Sequence, residues 1–116
     1  MKKYALVTGA GSGIGRDVSL ALLKAGYHVA LTGRNKTSLN ETSDLAGDYK
    51  SNTIVVPSDI SNSVSVIELF KIVRSAFGRL DLLFNNAGTN TKGLLEDSTR
   101  EIGVDHGSPG FVGDVF

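Results

Sequence analysis

Residues 4–15 read Tyr-Ala-Leu-Val-Thr-Gly-Ala-Gly-Ser-Gly-Ile-Gly, and this stretch decides the fold. The apolar run at 4–7 stops at a glycine cluster, which predicts a short buried strand followed by a loop. Behind the cluster, apolar side chains recur at helical spacing: Ile14, Val18, Ala21, Leu22 and Ala25. Gly26 is a stop signal for that helix. The stretch therefore predicts a strand, a glycine-rich loop and a helix in succession.

The alternation of strand and helix continues through residue 84. Apolar or β-branched runs predict further strands at 27–32, 53–56 and 80–84, and helices are predicted at 36–46 and 61–77. The strands are continuously apolar, as strands covered on both faces are. The order βαβαβαβ therefore predicts the α/β class, with a Rossmann-like, doubly wound parallel sheet.

Composition limits the classes of protein to which the chain can belong. The 116 residues include 12 Lys+Arg and 12 Asp+Glu, so the formal net charge is zero, and 41% are hydrophobic. Such a chain fits a soluble globular domain without a basic surface for nucleic acid or membrane. The absence of cysteine excludes disulfides, thiolate metal sites and cysteine nucleophiles. No apolar run has the length of a membrane span or a signal peptide, so a cytoplasmic location is expected.

The glycine cluster has the position of a phosphate-binding loop, between the first strand and a helix. It matches neither the Walker A spacing nor Gly-x-Gly-x-x-Gly, because Ile14 and Arg16 stand where the latter needs glycine. The pattern that fits is Gly9-x-x-x-Gly13-x-Gly15. Glycines there permit a tight turn and let a pyrophosphate approach the positive end of the helix. The alternative is that they only allow strand and helix to pack closely.

Two further motifs narrow the range of proteins to which the glycine cluster points. Asn85-Asn86-Ala87-Gly88 follows the fourth strand, and Asp59-Ile60 follows the third. Together with the glycine cluster, in this order and spacing over about residues 3–100, they resemble the classical short-chain dehydrogenases/reductases. The resemblance implies an oxidoreductase that binds NAD(H) or NADP(H) and interconverts alcohols and carbonyls by hydride transfer.

The resemblance also implies cofactor-binding positions. It places the glycine loop along the pyrophosphate, Asp59 at the adenine amino group with Ile60 beside the ring, and Asn86 near the ribose. In the family, Asn85 ties the central strands together. For Ser12 and Asp59, the alternative interpretation is that they cap helices. The expected cofactor-binding residues are Gly9, Gly11, Ser12, Gly13, Ile14, Gly15, Arg34, Asp59, Ile60, Asn86, Ala87 and Gly88.

The end of the second strand bears on the choice of cofactor. An NAD site usually has a carboxylate there, which accepts hydrogen bonds from the ribose 2′-hydroxyl. This chain reads Thr-Gly-Arg-Asn-Lys at 32–36 instead. Arg34 is able to pair with a 2′-phosphate, which favours NADP over NAD. Against this, Arg34 and Lys36 are also typical solvated loop charges, and Ser12 stands where relatives that prefer NADP often carry a base.

The catalytic pair of the family is missing from the sequence. Its chemistry needs a tyrosine as general acid/base and a lysine four residues later, on the same face of a helix. The tyrosines are Tyr4, Tyr27 and Tyr49, and none has a lysine at that distance. No catalytic residue is predicted, and the chain is expected to be a truncated form that is inactive alone. The alternatives are a non-catalytic dinucleotide-binding module and a non-functional remnant. No metal site is expected, since His28 and His106 are interpreted as bystanders.

The last stretch interrupts the pattern. Residues 98–101 have capping-box spacing for a helix start, yet four glycines and Pro109 follow. We therefore expect a cofactor-binding half-domain at 1–97 and a glycine-rich tail at 98–116 that is disordered or encoded in an altered frame. The alternative is that the chain is a naturally short product. The sheet, in the order 3-2-1-4, would end at an uncovered fourth strand with Asp81 solvated at its start. The helices of the family's usual oligomer contact would be absent, so that oligomer is not expected.

Overall fold

The computed structural model describes residues 2–86 and the backbone of residues 111–113. The helices are α1 (Gly13–Lys24), α2 (Lys36–Leu45) and α3 (Ser63–Phe77), and a 3₁₀-helix spans Gly47–Asn52. The strands are β1 (Lys3–Thr8), β2 (Tyr27–Gly33), β3 (Thr53–Pro57), β4 (Leu82–Phe84) and β5 (Phe111–Gly113). None of the helices in the described residues has both the length and the apolar character needed to cross a membrane. The same residues contain no group of three His, Asp or Glu side chains placed to hold a metal ion.

The sheet confirms the predicted fold class. Its order is β3-β2-β1-β4-β5. β1 pairs with β2 and with β4, and β2 pairs with β3, all in parallel. The parallel part therefore has the order 3-2-1-4, with β1 between β2 and β4. The winding of the chain reverses at β1, so the carboxyl ends of β1 and β4 form the crevice in which ligands of such folds bind.

Alternate residues of β1 belong to two hydrophobic clusters on opposite faces of the sheet. Ala5 and Val7 pack with Leu23 of α1 and Leu39 of α2. Leu6 packs on the other face against α3, which contributes Val66, Leu69, Phe70 and Val73. Because both faces are covered, a continuous apolar run is the pattern that this central strand requires. The two clusters hold β1, and with it the start of the glycine loop, in a fixed position.

The helix ends follow from the residues at their termini. The Asn35 side chain accepts a hydrogen bond from the Ser38 amide at 3.2 Å, and the Asn62 side chain accepts one from the Ser65 amide at 3.0 Å. These asparagines are the N-caps of α2 and α3. The asparagine cap explains why α3 begins at Ser63 and not at residue 61 as predicted. Gly78, with a φ of 76°, ends α3 in the left-handed conformation.

The expectation that β4 forms an uncovered edge is wrong. Leu82–Phe84 pairs antiparallel with Phe111–Gly113, and Leu83 stands opposite Val112 in the register. Unpaired groups at the edge of a sheet favour pairing with an extended segment, and a short run between glycines is sufficient for a three-residue ladder. The sheet therefore has a fifth strand, of opposite direction to the other four. The division into a domain at 1–97 and a tail at 98–116 stays a prediction.

Asp81 was expected to be solvated, and this expectation is wrong. The residue connects β1 to the segment before β4. Its carboxylate accepts a hydrogen bond from the Tyr4 amide at 2.8 Å, and its own amide donates to the Tyr4 carbonyl at 2.8 Å. The carboxylate also pairs with Arg79. Partial burial alone would raise the pKa of Asp81, but the hydrogen bonds from Arg79 and the Tyr4 amide, with the charges of Arg79 and Lys3, hold it below its ordinary value.

Replacing Asp81 by asparagine is expected to lower the free energy of unfolding by about 1 kcal/mol at neutral pH, because a charge-assisted hydrogen bond becomes a neutral one. Since the folded pKa is lowered, the contribution is complete above the ordinary aspartate pKa of about 3.9 and is lost as the pH falls toward the folded pKa. Urea unfolding at a series of pH values, followed by circular dichroism, measures both effects. Asp48→Asn, at an exposed position of the 3₁₀-helix, is the control. A deficit in Asp81→Asn that did not shrink in acid would contradict this account.

Candidate functional site

The loop between β1 and α1 lies at the carboxyl end of β1. Gly9 and Gly13 have φ angles of 63° and 55°, in the left-handed region that glycine adopts without strain. A Cβ atom at residue 13 would meet nothing within 4 Å. The backbone conformation, and not crowding, therefore requires glycine at this position. The turn presents the first N–H groups of α1, which have no partner within the helix, at the open side of the loop.

Close packing requires glycine at position 15 and, less strictly, favours it at position 11. A Cβ on Gly15 would lie 2.0 Å from the Gly9 carbonyl oxygen and 3.1 Å from Nδ2 of Asn86. A Cβ on Gly11 would lie 2.5 Å from Oγ of Ser38. Close packing, the alternative reason for glycines in this loop, therefore applies to both residues. These contacts also show that the loop lies between the end of β4 and the start of α2.

The start of α1 carries two exposed side chains that were predicted to contact the cofactor. Ser12 occupies the N-cap position, but its side chain makes no capping hydrogen bond. The alternative of a side-chain cap at Ser12 is therefore wrong, and its exposed hydroxyl is not engaged in that role. Ile14 is 65% exposed. No acidic residue lies in the first turn of α1, so no carboxylate there offsets the positive end of the helix.

A pocket of about 270 Å³ opens between the glycine loop, the end of β2 and the start of α2. Its lining consists of Gly9, Gly11, Ser12, Gly33, Arg34, Asn35, Ser38 and Leu39. The structure thus brings Gly9, Gly11, Ser12 and Arg34 of the predicted site residues together around one cavity. Asn35 and Ser38 were not predicted. The signal for them was present, since an asparagine three residues before a serine, at the start of a helix, is typical of a capped N-terminus.

Arg34 and Asp59, which were predicted to bind different parts of the cofactor, form an ion pair. Arg34 Nη2 lies 3.1 Å from Asp59 Oδ1 and 3.2 Å from Ser61 Oγ. The pair is possible because β2 and β3 are neighbours and both residues follow their strands at the same edge of the sheet. Both side chains are largely exposed, so the pair contributes little to stability. Hydrogen bonds from the hydroxyl and the amide of Ser61, with the charge of Arg34, lower the pKa of Asp59.

The alternative of a helix cap at Asp59 is wrong, because Asn62 caps α3. The Asp59 carboxylate instead accepts hydrogen bonds from the Ser61 amide at 3.0 Å and the Ser61 hydroxyl at 2.6 Å. It therefore stabilises the turn between β3 and α3. The carboxylate is also exposed, so a ligand is able to reach it. Ile60, which follows, is partly buried and packs against the hydrophobic cluster under α3.

Thr8 connects the end of β1 to the end of β4. Its hydroxyl donates to Asn85 Oδ1 at 3.1 Å and accepts from the Asn86 amide at 2.8 Å. The tie between central strands that the resemblance implied for Asn85 is therefore present. The Asn86 side chain lies beside the glycine loop, at the carboxyl ends of the two central strands. Ala87 and Gly88, the other predicted residues of this motif, lie outside the described residues.

These elements define a class of protein. The glycine loop and the end of β4 meet at the switch point of a parallel sheet ordered 3-2-1-4, which is the architecture of a Rossmann-type dinucleotide-binding domain. The family model described as short chain dehydrogenase matches residues 3–105. The chain therefore belongs to the short-chain dehydrogenase/reductase family, as the resemblance of its motifs indicated.

Individual relatives agree with this assignment. An uncharacterized oxidoreductase of Staphylococcus aureus (strain N315) is 44% identical over 96 residues, which are 82% of this chain and 40% of the relative. L-sorbose reductase from Gluconobacter frateurii, solved with NADPH and L-sorbose, has a TM-score of 0.71 at 34% identity, over 76% of this chain and 34% of that chain. A family member from Burkholderia phymatum, solved with NAD, has a TM-score of 0.70 at 37% identity, over 75% of this chain and 31% of that chain. The chain thus spans well under half the length of these relatives.

Proposed function

We propose that this chain is the cofactor-binding part of an oxidoreductase of the family and that it prefers NADP(H) to NAD(H). The observation that carries the proposal is the pocket at the carboxyl ends of β1 and β2, which both the glycine loop and Arg34 line. The lining contains no carboxylate that would accept a hydrogen bond from a ribose 2′-hydroxyl. Since one solved relative holds NADPH and another NAD, the preference rests on this lining.

The residues present fit a dinucleotide. The N–H groups at the start of α1 and the exposed Ser12 hydroxyl would hold the pyrophosphate. Arg34 would pair with a 2′-phosphate, Asp59 would accept a hydrogen bond from the adenine amino group, and Asn86 would lie near the second ribose. The nicotinamide, when bound, supplies the hydride chemistry. The chain's own contribution is to bind and orient the dinucleotide.

We further propose that the chain of 116 residues does not reduce carbonyls by itself. A carbonyl that accepts a hydride also needs a proton, which a positioned acid must donate. No tyrosine of the sequence is followed four positions later by lysine. Tyr4 and Tyr27 lie at the starts of β1 and β2, and Tyr49 precedes β3, so all three are remote from the carboxyl ends of the strands. The chain alone would therefore act as a binding module.

Titration of the full chain with NADPH, followed by the fluorescence of the reduced nicotinamide, tests the proposal. Saturable binding is expected, with an affinity about tenfold or more above that for NADH, because the 2′-phosphate adds a charge-assisted hydrogen bond. A parallel assay follows the oxidation of NADPH in the presence of a set of aldehydes and ketones. Its rate with the chain is expected to equal the rate without it.

A thermal melt distinguishes a failure of binding from a failure of folding. A chain that melts cooperatively but gives no saturable signal with NADPH does not bind a dinucleotide, and the proposal fails. Equal affinities for NADPH and NADH would overturn the preference alone. Oxidation of NADPH that depends on both the chain and a carbonyl would overturn the expected lack of turnover.

Other expectations from the sequence stay predictions. They are a cytoplasmic location, the lack of nucleic-acid and membrane partners, and the lack of the oligomer usual in the family. Size-exclusion chromatography of the full chain at several concentrations, with light scattering, tests the last of these. A stable tetramer at low concentration would contradict it.

A further inference from the structure

The side chain of Arg16 reaches from α1 back to the glycine loop and across to α2. Nη2 donates to the Gly11 carbonyl oxygen at 2.5 Å and to the Ser38 carbonyl oxygen at 3.2 Å, and Nε donates to Thr42 Oγ1 at 2.9 Å. The side chain is 24% exposed, so these hydrogen bonds are partly shielded from water. The planar guanidinium thus directs donors toward the glycine loop and toward two residues of α2 at once.

Thr42 extends this connection by one step. Its side chain is buried. Its hydroxyl accepts the hydrogen bond from Arg16 Nε and donates to the Ala10 carbonyl oxygen at 2.7 Å. Two consecutive carbonyls of the glycine loop, those of Ala10 and Gly11, are therefore tied to α2, one through Thr42 and the other through Arg16.

The tied segments are two walls of the candidate pocket. Gly11 and Ser38 both line it. They also pack closely, since a Cβ on Gly11 would lie 2.5 Å from Ser38 Oγ. Arg16 bonds to the carbonyls of these same two residues but does not line the pocket. It lies instead in a separate surface depression with Glu41 and Asp44. Arg16 therefore stands behind the walls that a ligand would face.

We propose that Arg16 is a positioning residue that sets the spacing between the glycine loop and the start of α2. The inference rests on the proposed function, because it assumes that a dinucleotide fills the pocket. A ligand that contacts both walls, such as NADPH, gains from a spacing that is fixed before binding. A ligand that contacts the loop alone, such as inorganic pyrophosphate, does not. Loss of Arg16 therefore weakens the first kind of ligand selectively.

The test compares Arg16→Leu with the wild type, both as full chains. NADPH affinity, from nicotinamide fluorescence, is expected to fall about tenfold, because charge-assisted hydrogen bonds that fix the walls are lost. Pyrophosphate affinity, from NMR titration, is expected to change less than about twofold, since its site lies on one wall. Arg16→Lys should recover part of the loss, because an ammonium group is able to hold one carbonyl but lacks the planar fork.

Two further variants keep the test decisive if Arg16→Leu does not fold. Thr42→Val removes the tie to Ala10 at nearly constant volume and should weaken NADPH binding in the same selective way. Glu41→Gln is the matched control, because Glu41 lies 3.4 Å from the guanidinium but is exposed and does not line the pocket. Its NADPH affinity should equal that of the wild type.

The outcomes separate the two proposals. The positioning role is overturned if folded Arg16→Leu binds NADPH with unchanged affinity. If the leucine variant does not fold, unchanged affinity in folded Thr42→Val overturns it. Equal losses for NADPH and pyrophosphate also overturn it, because they indicate general structural support. If the wild type melts cooperatively and binds no NADPH, the proposed function itself fails.

Discussion

Replacing Gly15 by alanine is expected to lower the free energy of unfolding by about 3 kcal/mol and to abolish dinucleotide binding. The added Cβ would lie 2.0 Å from the carbonyl oxygen of Gly9 and 2.7 Å from its carbonyl carbon. Both atoms belong to the backbone, so no change of rotamer relieves the overlap. Either the loop or the first turn of α1 must shift, and each shift moves the N–H groups that would hold the pyrophosphate.

Gly33→Ala is the matched control for the same chemical change. Gly33 also lines the pocket, but a Cβ there would meet nothing closer than Leu39 Cδ2 at 3.5 Å, which is an ordinary contact. We expect its free energy of unfolding to stay within about 0.5 kcal/mol of the wild-type value. Urea unfolding gives the stability, and titration with NADPH gives the affinity. If Gly15→Ala were as stable as Gly33→Ala, the loop would have to be adaptable, and the packing account of Gly15 would be wrong.

The parallel part of the fold could be predicted because each element carries its own local signal. The apolar run at 4–7 suits a strand buried on both faces, and glycines or asparagines mark most of the helix ends. The 3₁₀-helix at Gly47–Asn52 was missed, since its polar residues have no apolar period. β5 was missed for another reason. Its place depends on the free edge of β4, a partner that is distant along the chain.

Site residues could be predicted where local motifs determine them, and not where contacts between elements do. Gly9, Gly11, Ser12 and Arg34 line one pocket, and their role in binding a cofactor stays a prediction. Arg16 was not singled out, because an arginine near the start of a helix is typical of a solvated charge. Its hydrogen bonds exist only because α2 packs beside the loop. The ion pair of Arg34 with Asp59 likewise requires β2 to lie next to β3.

Replacing Arg34 by glutamine is expected to reduce the affinity for NADPH about 10- to 100-fold and to leave the affinity for NADH within about twofold. The loss follows from the removal of a charged, bidentate partner of the 2′-phosphate. NADH has no such phosphate, so the substitution removes little from its binding. Fluorescence titrations with both reduced cofactors measure the ratio of the two affinities, which is the quantity that the substitution should change.

The ion pair of Arg34 with Asp59 does not oppose this result. The Arg34 side chain is 72% exposed, and an exposed pair of this kind is weak and screened by salt. A phosphate is therefore able to draw the guanidinium away from Asp59 with little loss. Under the proposed function, the Asp59 carboxylate released in this way would accept a hydrogen bond from the adenine amino group.

Lys36→Gln distinguishes a direct contact between Arg34 and the 2′-phosphate from a long-range effect of the positive charge on this surface. It removes the same unit of charge two positions along the chain, from a residue at the start of α2 that does not line the pocket. If Arg34 contacts the 2′-phosphate, Lys36→Gln should change the ratio of NADPH to NADH affinity less than about twofold, because exposed charges without contact are screened by salt. If both substitutions lowered the ratio equally, the preference would come from the general field of this surface. Arg34 would then be the solvated loop charge of the alternative interpretation.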